Sequence, residues 1–122
     1  MIKITFCLRR LPSLTQAQFL DYWHRNHAPL VQSHAAALRI RRYIQLVPIE
    51  TELSAPMQKA RGAPPAYDGV AELWFDSLEA LAENGRRPEV QAAGALLLED
   101  ERRFIDLPKS PLWWGQERVV VG

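Results

Sequence analysis

IKITFCLRRLPSLTQAQFLDYWHRNHAPLV, residues 2–31, is the stretch that decides the fold. Its first part alternates, with Ile2, Ile4, Phe6 and Leu8 on one face and Lys3, Thr5, Cys7 and Arg9 on the other. Alternation that includes β-branched residues is the signal of a strand over 2–9. Leu11-Pro12-Ser13 breaks the pattern, and Thr15 stands as N-cap ahead of Gln16-Ala17-Gln18-Phe19. A helix is predicted from there to about Asn26. A proline inside a helix removes a hydrogen bond and bends the axis, so Ala28-Pro29 predicts a kink near His27. The helix then resumes through Val31–Leu38.

The same reading extends along the chain. RIRRYIQLV (39–47) is a second strand, with Ile40, Ile44 and Leu46 opposite Tyr43, Gln45 and Val47. Residues 48–65 hold Pro48, Pro56, Pro64, Pro65 and Gly62 and are expected to form a long loop. Tyr67–Phe75 is the third strand, with Val70, Glu72 and Trp74 opposite Ala71, Leu73 and Phe75. Asp76-Ser77 caps a helix that starts at Leu78 and is stopped by Asn84-Gly85. Pro88 opens another helix that ends near Arg103, and Trp113–Val121 is read as the last strand. The order β-α-β-β-α(α)-β is a split βαβ arrangement: a ferredoxin-like α+β fold with a four-stranded antiparallel sheet and helices on one face. Its far face would include several of Tyr43, Val47, Val70, Trp74, Trp113 and Val119. Apolar area costs about 25 cal/mol per Å² to leave in water. A homodimer packed sheet to sheet about a two-fold axis is therefore expected.

The composition bounds what such a domain does. At 122 residues the chain is expected to be a single domain over 1–122, and 48% hydrophobic with 24% charged residues is a globular mix. A net charge of +1 carries no electrostatic footprint for nucleic acid. No apolar run approaches the roughly 20 residues of a membrane span. Cys7 is the only cysteine, so an internal disulfide is excluded and a cytoplasmic location is expected. There is no glycine-rich phosphate loop, nucleophile elbow or triad-like set, and no cofactor is expected.

On a helical wheel Phe19, Leu20, Trp23, Leu30 and Val31 share one arc; His27 falls inside it and His24 just outside. His27 is thus directed at the sheet, next to a helix distortion, with an imidazole able to act as acid or base. The competing reading is a core histidine bonded to a carbonyl freed by Pro29. His24, His27 and His34 lack an acidic partner at ligand spacing, and no metal site is assigned. Tyr43 is either a phenolic donor or a packing residue. Glu72, between Val70 and Trp74, is expected to pair with an arginine of the 39–42 run. Asp100-Glu101 is most simply a solvated, salt-bridged helix end, although a carboxylate beside Phe104 could orient an imidazole. Cys7 reads as an inert strand residue.

Taken together, residues 8–31, RYIQ (42–45), YDGVAELWFDSLEAL (67–81), LEDERRFID (98–106) and WWGQERVVV (113–121) resemble the EthD family of small dimeric α/β-barrel proteins. The most specific block is Phe19, Tyr22-Trp23, His27-Ala28-Pro29 and Val31, followed by Asp100-Glu101 with Phe104. The resemblance implies the ferredoxin-like fold, a sheet-to-sheet homodimer and a pocket between helices and sheet. His27 transfers as the catalytic candidate, with Tyr43 and Asp100 beside it, and Trp23, His24 and Phe104 as ligand-binding candidates. Two functions follow as expectations. One is a cofactor-independent enzyme of isomerase, dehydratase, decarboxylase or monooxygenase type, acting on a small hydrophobic oxygenated compound in a catabolic or tailoring pathway. The alternative is a non-catalytic accessory or ligand-binding protein, as in ethyl tert-butyl ether degradation. Fold analogy does not choose between them.

Overall fold

The structure, a computed structural model, describes residues 1–122. Four strands, β1 (Ile2–Leu8), β2 (Arg42–Leu46), β3 (Gly69–Phe75) and β4 (Leu112–Gly115), form one antiparallel sheet in the order β2-β3-β1-β4. Helices α1 (Gln16–Tyr22) and α2 (Ala28–Leu38) follow β1, while α4 (Leu78–Asn84) and α5 (Pro88–Glu101) follow β3. This is the ferredoxin-like arrangement, with its sheet order fixed by β1 and β3 at the centre.

Pairing places Ile4 opposite Leu73 and Phe6 opposite Ala71, and Tyr43 and Gln45 extend the same two rows across β2. That face meets the helices. Phe6, Leu8 and Ala71 of the sheet pack with Phe19, Trp23, Phe104 and Ile105 in one buried cluster. Each such large side chain contributes roughly 1.5–3 kcal/mol on burial. Gly69 is part of this fit, because a Cβ there would collide with the six-membered ring of Trp23.

Thr15 starts α1 with a full capping box: its hydroxyl accepts from the Gln18 amide, and the Gln18 side chain accepts from the Thr15 amide at 2.9 Å. The distortion anticipated at Pro29 takes the form of a π-helical turn over Trp23–His27, closed by a bond from the Ala28 amide to the Trp23 carbonyl. Gln45 donates to that same carbonyl at 3.0 Å, tying the widened turn to β2. Ser77 caps α4 through the Ala80 amide.

Four expectations need correction. Residues 54–61 form a helix, α3 (Ser54–Arg61), inside the segment read as loop. Pro56 sits in its first turn, where proline is tolerated, Ala, Met, Gln, Lys and Arg favour helix, and Gly62 ends it at φ 57°. The last strand stops at Gly115, because Gly115 pairs with Lys3 and β1 has almost no residues left beyond that register. The second strand starts only at Arg42, since Arg39 closes α2 in the left-handed conformation at φ 57°. Glu72 pairs with Lys3 at 3.4 Å instead of with an arginine of the 39–42 run.

The far face carries Lys3, Thr5, Cys7, Ile44, Leu46, Val70, Glu72, Trp74 and Trp113, as the register dictates. Tyr43 is on the helix side, and Val47 and Val119 lie outside the strands. Trp74 is largely covered there: Lys3 and Arg42 lie over its ring at 4.9 Å each, and its indole N–H donates to Glu117 at 2.8 Å. Leu46 and Trp113 stay more than half exposed. No helix is long and apolar enough to cross a membrane.

Candidate functional site

His27 is buried at the end of the π turn, and its Nδ1 lies 2.7 Å from Oδ2 of Asp100, itself buried in the last turn of α5. Oδ1 of Asp100 accepts from the Tyr22 hydroxyl at 2.6 Å and from Arg103 at 3.0 Å. The π turn explains why both Tyr22 and His27 reach one carboxylate. In an α-helix, residues five apart diverge by about 140°. Bonding from i to i+5 brings them over one another. Phe104 packs against both, 5.0 Å from the imidazole and 5.1 Å from the Tyr22 ring.

The electrostatics follow from this packing. Burial pushes the His27 imidazole below its ordinary pKa, and the Asp100 carboxylate opposes that only in part. Burial alone would raise Asp100, but the bonds from Tyr22, His27 and Arg103 together hold it below the usual range. Burial and then the bond to Asp100 raise Tyr22. An ionised carboxylate is only an acceptor, so neutral His27 carries its proton on Nδ1 and leaves a lone pair on Nε2. Nε2 bonds no protein group, and no fully buried side-chain nitrogen or oxygen lacks a partner, so solvent reaches it.

His27 borders a cavity of about 60 Å³ walled by Phe6, Leu8, Trp23, Tyr43, Leu97 and Glu101 among others. That is room for a few waters or the end of a small molecule. Glu101 is pushed up to about 7, first by burial and then by the charge of Asp100. Burial also raises Tyr43, whose oxygen accepts from Gln45 at 2.9 Å, leaving its own O–H free to donate. On the other side of Trp23 and Tyr43 lies an open groove of about 890 Å³ between α2 and β2, edged by Arg41 and Arg42. Trp23 and Tyr43 line both spaces.

The structure therefore joins His27 directly to Asp100 and sets Tyr43 and Trp23 at the same cavity. Phe104 stacks beside the imidazole and is not among the cavity walls. His24 is exposed and lines the groove. The three histidines form no cluster, and no three His, Cys, Asp or Glu side chains stand together as a ligand set. Asp100-Glu101 is not the solvated end expected of it: Asp100 is 5% exposed and Glu101 faces the cavity. Sequence reading missed Tyr22, Arg103 and Glu101 as members of the site. The five-residue spacing of Tyr22 and His27 signals a shared partner only if the turn is known to be π-helical.

Comparison with known proteins completes the description. No curated protein matches the chain. A crystal structure of an ethyl tert-butyl ether D (EthD) family protein from Bacillus halodurans is similar, with 21% identity and a TM-score of 0.61 over 97% of this chain and 99% of that one. An EthD-like protein from Ralstonia eutropha has 20% identity and a TM-score of 0.61 over 98% of this chain and 92% of that one. A dimeric protein of unknown function and ferredoxin-like fold from Bacteroides fragilis has 11% identity and a TM-score of 0.58, covering 95% of each chain. At these identities the likeness establishes fold. Residues 11–108, most of the chain, match the EthD domain, and the protein belongs to the EthD family.

Proposed function

We propose that this protein is a homodimeric, cofactor-independent enzyme that moves a proton on a small hydrophobic oxygenated compound. The observation that carries the reading is the imidazole of His27, fixed through Nδ1 by Asp100, with no protein partner on Nε2, in a residue that lines a small, mostly apolar cavity. A base must be neutral and have its tautomer set; burial favours the neutral imidazole, and the bond to Asp100 keeps the proton on Nδ1. Asp100 is the positioning residue. Tyr43 donates its free O–H to an oxygen that gains charge during the reaction. Trp23 walls the cavity, while His24 borders the groove where the rest of the substrate would lie. Isomerisation and dehydration use such a base to take a proton from carbon, a monooxygenase of this type would use it to make the carbanion, and a decarboxylase would use the same site only to supply the proton that replaces CO₂.

The homodimer is supported by Ile44, Leu46, Val70 and Trp113 on the uncovered sheet face, and by the dimeric neighbour of like fold. The lone Cys7 supports a cytoplasmic setting. The size of the groove favours a second reading, an accessory protein that binds a ligand without changing it. Turnover by the wild type that falls at least 100-fold in His27→Gln, with the fold retained, supports the enzyme. A ligand bound and recovered unchanged, with binding indifferent to His27→Gln, supports the accessory protein.

A further inference from the structure

Glu101 is the ionisable side chain at the cavity to which the reading above gives no task. It shares the cavity wall with His27 of the π turn and Tyr43 of β2, and its neighbours in the chain are Asp100 and Arg102, the residue that caps the end of α5. The nearby cations are engaged elsewhere: Arg102 pairs with Glu99 at 3.3 Å and Arg103 with Asp100 at 3.0 Å. No hydrogen bond or ion pair reaches the Glu101 carboxyl. A carboxyl group set against Phe6, Leu8 and Leu97 without a counterion favours its neutral form. Glu101, its carboxyl pushed up to about 7, and His27 thus line one space of about 60 Å³.

We propose that Glu101 is the acid that works opposite His27 in the enolisation of a small apolar ketone or β-dicarbonyl compound. This rests on the reading of His27 as base. Nε2 takes the proton from the carbon beside the carbonyl, and the C–H electron pair forms a new C=C bond. The carbonyl π pair moves to oxygen, and the O–H bond of Glu101 breaks to give that oxygen its proton. The products are the enol, a His27 imidazolium against Asp100, and a Glu101 carboxylate. Reversal returns a proton to carbon from His27 and the enol proton to Glu101, restoring both groups. No oxidant, reductant or second substrate is needed. Two groups shifted in opposite directions, His27 down and Glu101 up, are the pattern of an acid–base pair at one site. A cavity of about 60 Å³ suits the reacting end of a small molecule, and Trp23 and Tyr43, which line it, also line the groove outside.

The test is exchange of α-hydrogens for deuterium in D₂O near neutral pH, followed by NMR with cyclopentanone, cyclohexanone and 2-tetralone as probes. Wild type is expected to exchange at least one of them above the buffer rate, with losses of about 100-fold or more in His27→Gln and about 10–1,000-fold in Glu101→Gln. If His27→Gln exchanges like wild type, the base reading falls and this inference with it. If His27→Gln is inactive while Glu101→Gln matches wild type, the base reading stands and Glu101 is overturned as the acid. No exchange of any probe by wild type contradicts both. Should either variant fail to fold, ¹³C NMR of the wild-type Glu101 carboxyl decides: protonation at pH 6 supports the role, and ionisation there overturns it.

Discussion

Nδ1 of His27 stands 2.7 Å from Oδ2 of Asp100, a contact between residues 73 apart in sequence that joins the π turn to the end of α5. It sets the tautomer and the aim of the imidazole at once. The other oxygen of Asp100 is held by Tyr22 and Arg103, so the carboxylate cannot swing away without losing two more bonds.

Asp100→Asn tests that arrangement. The proton-transfer rate is expected to fall about 100-fold or more, because an amide in place of the carboxylate no longer holds the ring proton on Nδ1. Asp100 raises the His27 pKa against the larger effect of burial, so its neutralisation lowers that pKa further. Activity needs neutral His27 and is lost as pH falls through its pKa. The acid limb of the profile should therefore move to lower pH in the variant. A purely structural Asp100 would lower stability and leave that limb in place.

Glu101 makes folding sensitive to pH. Its folded pKa is raised from 4.5 to about 7. Its contribution is thus complete below about 4.5 and is lost as pH rises through about 7. At about 1.4 kcal/mol per unit the whole change is roughly 3 kcal/mol. His27, depressed on folding, acts with the opposite slope: its contribution is present above 6.5 and lost as pH falls through the folded value. Urea unfolding of wild type and Glu101→Gln from pH 4.5 to 7.5 separates the two. The difference between the proteins should shift in favour of the variant as pH rises, and a constant difference would contradict the assignment.

Gly69→Ala should destabilise by about 1–3 kcal/mol, because the new Cβ would overlap the Trp23 ring and the packed core must shift. Gly94→Ala is the control: it lies within α5, has nothing within 4 Å of an added Cβ, and should gain up to about 1 kcal/mol from helix propensity. Denaturant midpoints of the two variants should move in opposite directions.

Val70 lies on the uncovered face of β3, in register between Cys7 and Leu46. Val70→Lys places a charge in the proposed dimer contact. Sedimentation equilibrium should give twice the chain mass of 13.9 kDa for wild type and a single chain for the variant. A monomeric wild type would remove the dimer from the account.

Much of this was legible in the sequence, for reasons that show where reading stops. The alternation of Ile2, Ile4, Phe6 and Leu8, the Thr15 cap and the Ser77 cap are local signals, and local bonding realises each one. The inward placement of His27 follows from helical period. The end of β4 was not legible, since it depends on where β1 runs out of partners. Helix α3 was hidden by the prolines around it, although Pro56 occupies a tolerated position. Tyr22 escaped notice because the 100° wheel points it away from His27, and only the extra residue of the π turn restores the match. Glu101 read as solvated because nothing in an acidic-basic run reveals which carboxylate faces inward.

The most direct test is the ¹⁵N NMR spectrum of the His27 ring at pH 7. A neutral imidazole with its proton on Nδ1 and an unprotonated Nε2, persisting below pH 6.5, is the result this account requires. A ring protonated on Nε2, or one already cationic at pH 7, would contradict it, because the base would then have no lone pair to offer.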